Sequence, residues 1–146
     1  MKYYLVALFD KQSYSYIEEM QKSICKKYKI YKNMPVLHIT LEVIGDPDIE
    51  KLNKIVSDIL KPYKKFKVEI NGAMCFDPPY KWDLHVSLAN TNYAIREWSS
   101  KEYVAACDTA KKENIHKMAK IDRIELWKPI NNKKEMIIKS FPLRDF

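Results

Sequence analysis

One short strand is written twice in this chain, as Leu37-His38-Ile39-Thr40-Leu41 and as Leu84-His85-Val86-Ser87-Leu88. Side chains of a β-strand alternate between two faces, so His and the hydroxyl residue share one face and the three aliphatics share the other. Each copy therefore demands a sheet with one greasy face against a core and one polar face turned away from it. Laid side by side, the two strands place two imidazoles and two hydroxyls in one cleft over an apolar floor. Either copy alone also fits an ordinary strand histidine in a core or at its edge. The pair fits a catalytic constellation better, because two of only three histidines in the chain fall in the pattern.

The rest of the composition narrows the chemistry. A chain of 146 residues, 47% hydrophobic and 31% charged, is a single globular domain over residues 1–146 with room for a real core. Two glycines, Gly45 and Gly72, are too few for a Gly-rich loop cradling a nucleotide phosphate. The net charge of +7 suggests an anionic partner, with nucleic acid the leading candidate. Cys25, Cys75 and Cys107 have no metal-ligand spacing and are read as reduced thiols of an intracellular protein. The apolar start from Tyr3 to Phe9 ends in Asp10-Lys11 without a cleavage site, so it reads as a first strand rather than a leader. No stretch is long enough to span a membrane, and the expected location is cytoplasmic.

Periodicity lays out the elements. Tyr3–Phe9 reads as a buried strand. Ile17, Met20, Ile24 and Tyr28 give helical spacing over Tyr14–Tyr28. The first His strand covers Val36–Ile44 and ends at Gly45. Pro47 suits the first turn of a second helix whose inner face is Ile49, Leu52, Val56, Ile59 and Leu60, with Pro62 at its end. Phe66–Phe76 reads as a strand, Trp82–Ala89 as the second His strand, and Ser99 with Glu102 as a capping box opening a third helix. Strands over Ile121–Lys128 and Glu135–Phe141 close the chain as a hairpin. Strands mixed with helices and joined by short turns argue an α+β fold with antiparallel sheets, in two similar lobes facing a groove.

Two histidines are what phosphodiester transfer needs without a metal. One takes the proton of the attacking water or hydroxyl and the other protonates the leaving oxygen. Thr40 and Ser87 would donate hydrogen bonds to the non-bridging oxygens as charge builds. A metal is a poor fit, because no Asp, Glu or Cys motif converges on the pair. The histidine-triad class of nucleotide hydrolases needs histidines at alternate positions of one strand, which neither copy supplies.

The paired His-x-Thr/Ser strands resemble the signature of the 2H phosphoesterase superfamily, which includes 2'-5' RNA ligase-like proteins and cyclic phosphodiesterases. Glu42-Val43-Ile44-Gly45 is similar to the family's usual ending of the first motif strand in a glycine before a helix. The resemblance implies a bilobal α+β fold, two antiparallel sheets with helices outside and a central cleft lined by the two His strands. It implies chemistry without metal or other cofactor on 2',3'-cyclic phosphates or 2'-5' linkages of RNA or a nucleotide. His38 and His85 would be the acid–base pair, and Thr40 and Ser87 the phosphate-binding hydroxyls. The chain departs from the family in carrying Ser in the second motif, Asn90 near a position often basic, and a short segment after Phe66. Those departures bear on the substrate more than on the reaction class.

Secondary candidates flank this signal. Tyr80, Trp82, Tyr93 and Trp98 are candidates to stack on a base, although packing is the plainer role for each. The Lys- and Tyr-rich stretches 26–32 and 61–67 suit an RNA backbone, but solvated helix ends account for them better. His116 lacks a partner pattern and reads as a surface residue, and Cys75 as a buried strand cysteine. A non-catalytic RNA-binding module on the same fold is the alternative function. The expected oligomeric state is a monomer.

Overall fold

The computed structural model describes residues 1–29, 31–72, 84–89, 95–113, 115–130 and 132–145. Strand β1 (Lys2–Phe9) sits inside the sheet and is packed on both sides. Ala7 and Phe9 enter one apolar cluster while Val6 and Leu8 enter a second on the opposite face. That alternation follows directly from the two-residue period of a strand.

Helix α1 (Lys11–Tyr28) begins at Asp10, whose carboxylate accepts a hydrogen bond from the Ser13 N–H at 2.8 Å. This satisfies one of the donors that every helix start leaves open. Ile17, Met20, Gln21 and Ile24, spaced i, i+3, i+4 and i+7, form the buried stripe. The helix closes at Lys29 in the left-handed region, φ 51°, with its N–H on the Cys25 carbonyl.

Strand β2 (Ile39–Gly45) runs antiparallel to β1, pairing Ala7 with Ile39 and Val6 with Thr40. A register shift at Leu41 then brings Leu5 opposite Glu42. The strand starts after His38 rather than at Val36, and the reason is local: the Val36 carbonyl is bound by the His38 ring. Helix α2 (Ile49–Leu60) is capped by Asp48, so Pro47 lies just outside its first turn. Ile49, Leu52, Val56 and Leu60 face the core as expected, whereas Ile59 is exposed.

Strand β3 (Phe66–Asn71), helix α3 (Ser100–Glu113), strand β4 (His116–Trp127) and strand β5 (Ile137–Pro142) complete the described elements. The capping box of α3 is present: the Ser99 hydroxyl accepts from the Glu102 N–H, and the Glu102 carboxylate accepts from the Ser99 N–H. β4 begins well before Ile121, because β3 pairs with its first half from His116 to Ile121. Charged edge positions at Lys117 and Lys120 mask that half from a reading of hydropathy.

The result is an α+β fold with one curled antiparallel sheet and three helices among the described residues. The strand order is β2-β1-β4-β3, with β5 also on β4. The main core, centred on Leu37, Ile39, Ile121, Ile124 and Leu126, fills the face covered by α1 and α2. No helix among the described residues is long and apolar enough to cross a membrane.

Two expectations need correction. The second His segment is not a continuous strand from Trp82 to Ala89: over residues 84–89 it makes one antiparallel bridge, Val86 with Ile39, and bends at Leu88. Cys107 is disulfide-bonded, against the reading of three reduced thiols. Sequence spacing shows metal motifs but not which cysteines meet in space. Cys25 is a free, buried cysteine whose thiol burial pushes up to about 11.

Candidate active site

The Ile39–Val86 bridge brings the two copies of the repeated pattern together, head to tail. Carried one residue either way, an antiparallel register sets His38 opposite Ser87 and Thr40 opposite His85. Ile39 and Val86 lie between them and point into the main core. Paired residues of a sheet share a face, so the imidazoles and hydroxyls fall on the other side. That side is fixed independently by β1, since Thr40 pairs with Val6 of the second cluster.

The apolar floor is narrower than six aliphatics. Leu37, Ile39, Val86 and Leu88 belong to the core, but Leu41 and Leu84 are exposed. Leu41 is displaced by the register shift in β2, and the bridge does not extend to Leu84. At the other end the two segments are held firmly. The fully buried Gln21 side chain donates from Nε2 to the Pro35 carbonyl at 2.8 Å and to the Leu88 carbonyl at 3.3 Å. One amide thus ties the start of the first motif to the end of the second. The Tyr14 hydroxyl accepts from the Leu37 N–H at 3.2 Å, and the Cys25 thiol lies 3.5 Å from the Leu88 carbonyl.

His38 is the best-defined member of the group. Its Nδ1 lies 2.7 Å from the Val36 carbonyl oxygen. A carbonyl only accepts, so Nδ1 carries the proton and Nε2 keeps its lone pair in the neutral ring. The Trp127 ring stands edge-on to the imidazole, with centroids 4.6 Å apart. Burial pushes the proton affinity of His38 below the ordinary histidine value; the Val36 hydrogen bond opposes this, and the charge of neighbouring His85 adds to the depression. His85 is exposed, and Ser87 and Thr40 are half-buried.

Other predicted residues separate from this centre. Trp98 packs on Tyr28, centroids 5.5 Å apart, in the seam where Ile24 meets Ala106 and Ala110, so its indole is committed to joining α1 and α3. Tyr80, Trp82, Tyr93, Asn90 and Cys75 lie outside the described residues. His116 is exposed at the start of β4, its Nδ1 3.4 Å from the Asn71 side-chain oxygen. In the basic stretches, Lys26 and Lys27 fall in the last turn of α1, where they complement the helix dipole, and Lys65 pairs with Asp145. No three His, Cys, Asp or Glu side chains among the described residues converge as a metal site requires.

Three residues of the site escape a sequence reading. Gln21 is a polar member of an apolar helical stripe, and Glu125 interrupts the run Ile124-Glu125-Leu126-Trp127; each intrusion is visible, but its meaning is not. Trp127 reads as one more core aromatic until its neighbour is known. Comparison with known proteins adds no relative: no protein-family model matches the chain, and no curated protein is significantly similar to it.

Proposed function

We propose that this chain is a phosphoesterase of the 2H type, opening 2',3'-cyclic phosphates of RNA or nucleotides, or making and breaking 2'-5' linkages. The single observation that carries the reading is the Ile39–Val86 bridge, which joins the two motifs in antiparallel sense at their central aliphatics; continued by one residue each way, it supports each histidine facing the other motif's hydroxyl. The proposal includes the wider architecture: two lobes, each an antiparallel sheet with helices outside, and a cleft between them lined by the two motifs.

In the hydrolytic direction, neutral His38 takes a proton from water through Nε2 as the water oxygen attacks phosphorus. The bond from phosphorus to one ribose oxygen breaks, and protonated His85 gives its proton to that oxygen. Thr40 and Ser87 donate hydrogen bonds to the two non-bridging oxygens, where negative charge grows in the transition state. The tautomer fixed by the Val36 carbonyl and the depressed proton affinity of His38 both favour the base role for that residue. In the reverse direction the two histidines exchange roles.

The direct test is turnover of a 2',3'-cyclic nucleotide, and of RNA ending in a cyclic phosphate, with a chelator present. Ring opening by the wild-type protein is the expected result. The net charge of +7 supports one other reading, a non-catalytic RNA-binding module. That reading predicts RNA binding that weakens steeply with salt and no turnover of any phosphodiester.

A further inference from the structure

Behind His38, on the face away from the helices, β4 presents Arg123, Glu125 and Trp127 at alternate positions. Glu125 is buried and both of its oxygens are used. Oε1 accepts from the Trp127 indole N–H at 2.9 Å, and Oε2 accepts from the Arg123 Nε–H at 3.1 Å. Arg123 is held in turn by the Asp122 carboxylate at 2.8 Å and the Phe9 carbonyl at 3.3 Å. A buried carboxylate is costly without such partners, so its presence calls for an explanation beyond packing. The indole links this carboxylate to the first motif, since it stands edge-on to the His38 ring with an interplanar angle of 60°.

We propose that Glu125 and Trp127 are positioning residues for His38: the carboxylate locks the indole, and the indole and the Val36 carbonyl together fix the plane and the tautomer of the imidazole. Neither residue needs to touch substrate. Without Trp127 the imidazole is tethered at Nδ1 alone and is free to rock about that hydrogen bond. Among the described residues, the charged and titratable groups around this arrangement include His85 beside His38, Tyr4 paired with Trp127 from β1, and Glu125, Arg123 and Asp122 behind the indole.

The inference rests on the acid–base role given to His38, but its primary readout does not. In nitrogen and proton NMR of the full-length protein, wild-type His38 should show a protonated Nδ1 and a ring-current shift from the indole. Trp127→Leu should abolish that shift and broaden the His38 ring resonances as the imidazole rocks about its Nδ1 bond, while the Val36 carbonyl keeps Nδ1 protonated. Glu125→Gln, whose amide oxygen can still accept from the indole N–H while its N–H₂ meets the Arg123 Nε–H, should keep the ring-current shift, and Glu125→Leu, which offers no acceptor, should weaken it. A folded Trp127→Leu protein whose His38 ring resonances stay as sharp as those of the wild type overturns the proposal. If that variant does not fold, Trp127→Phe, which keeps a ring but loses the anchor, must change the ring-current shift on His38; an unchanged shift is equally fatal. On cyclic phosphate, Trp127→Phe should lower kcat about tenfold with KM unaltered. NMR behaviour as described in a protein that turns over no cyclic phosphate would leave the support standing and remove the phosphoesterase reading.

Discussion

His38 owes its properties to three neighbours: a core that desolvates it, a carbonyl that claims Nδ1, and a second imidazole that resists a second positive charge. Because its folded proton affinity is depressed, the unfolded chain takes up a proton first as pH falls below the ordinary value of 6.5. Stability is therefore complete above that value and declines on acidification toward the lower folded one. Denaturant titrations at descending pH should show the decline, and His38→Ala should remove it. Cys25 gives a second residue-scale prediction. A buried thiol held up to about 11 stays protonated, so an alkylating reagent should modify it only on unfolding; rapid labelling of the native protein would refute that. Much of this scale was legible beforehand. His38, Thr40, His85 and Ser87 announce themselves because imidazole and hydroxyl recur at the same spacing on the same strand face. Glu125, Trp127 and Gln21 do not, since each acts through a partner distant in sequence and only folding reveals which.

The elements were legible where periodicity was clean and obscure where a tertiary partner decided. α1 and α2 follow from helical spacing and the start of α3 from Ser99 and Glu102, whereas the caps Asp10 and Asp48 set starts that spacing alone places at Tyr14 and Pro47. The first half of β4 was hidden because lysines at an edge do not look like a strand until β3 pairs with them. The second motif failed to extend because Leu84 lacks a core to enter and Leu88 is drawn toward α1 by Gln21 and Cys25. Two substitutions test this level. Lys29→Gly relieves a left-handed C-cap and should raise stability by about 1 kcal/mol, read as a higher midpoint in thermal or denaturant unfolding. Gln21→Leu removes the donor to the Pro35 carbonyl and leaves the Leu88 carbonyl with the Cys25 thiol, and it should cost about 1–3 kcal/mol. It should also speed hydrogen exchange at Ile39 and Val86; unchanged exchange there would mean that Gln21 does not set the register of the motifs.

At the level of the whole molecule, one curled sheet separates two kinds of surface. The face toward α1 and α2 carries the core and, between α2 and β5, an apolar groove lined by Val56, Leu60 and Leu143. The opposite face carries the second cluster, the Glu125–Trp127 pair and the two motifs joined through Ile39 and Val86. The fold thus packs an apolar cluster on each side of the same strands, and the alternation of β2 sends Ile39 to one side and Thr40 to the other. On the proposed reading a second lobe completes the cleft, and the positive charge of the chain draws an RNA phosphate toward it. The account stands or falls on whether the two histidines act together on one phosphodiester. Single-turnover rates on a 2',3'-cyclic nucleotide, with chelator present, decide this for wild type, His38→Ala, His85→Ala and the double variant. Each single change should lower the rate by about 10²–10⁴-fold, and the double variant should fall little further, because either loss disables the shared proton transfer. Wild-type turnover that survives in His38→Ala and His85→Ala would contradict the mechanism outright.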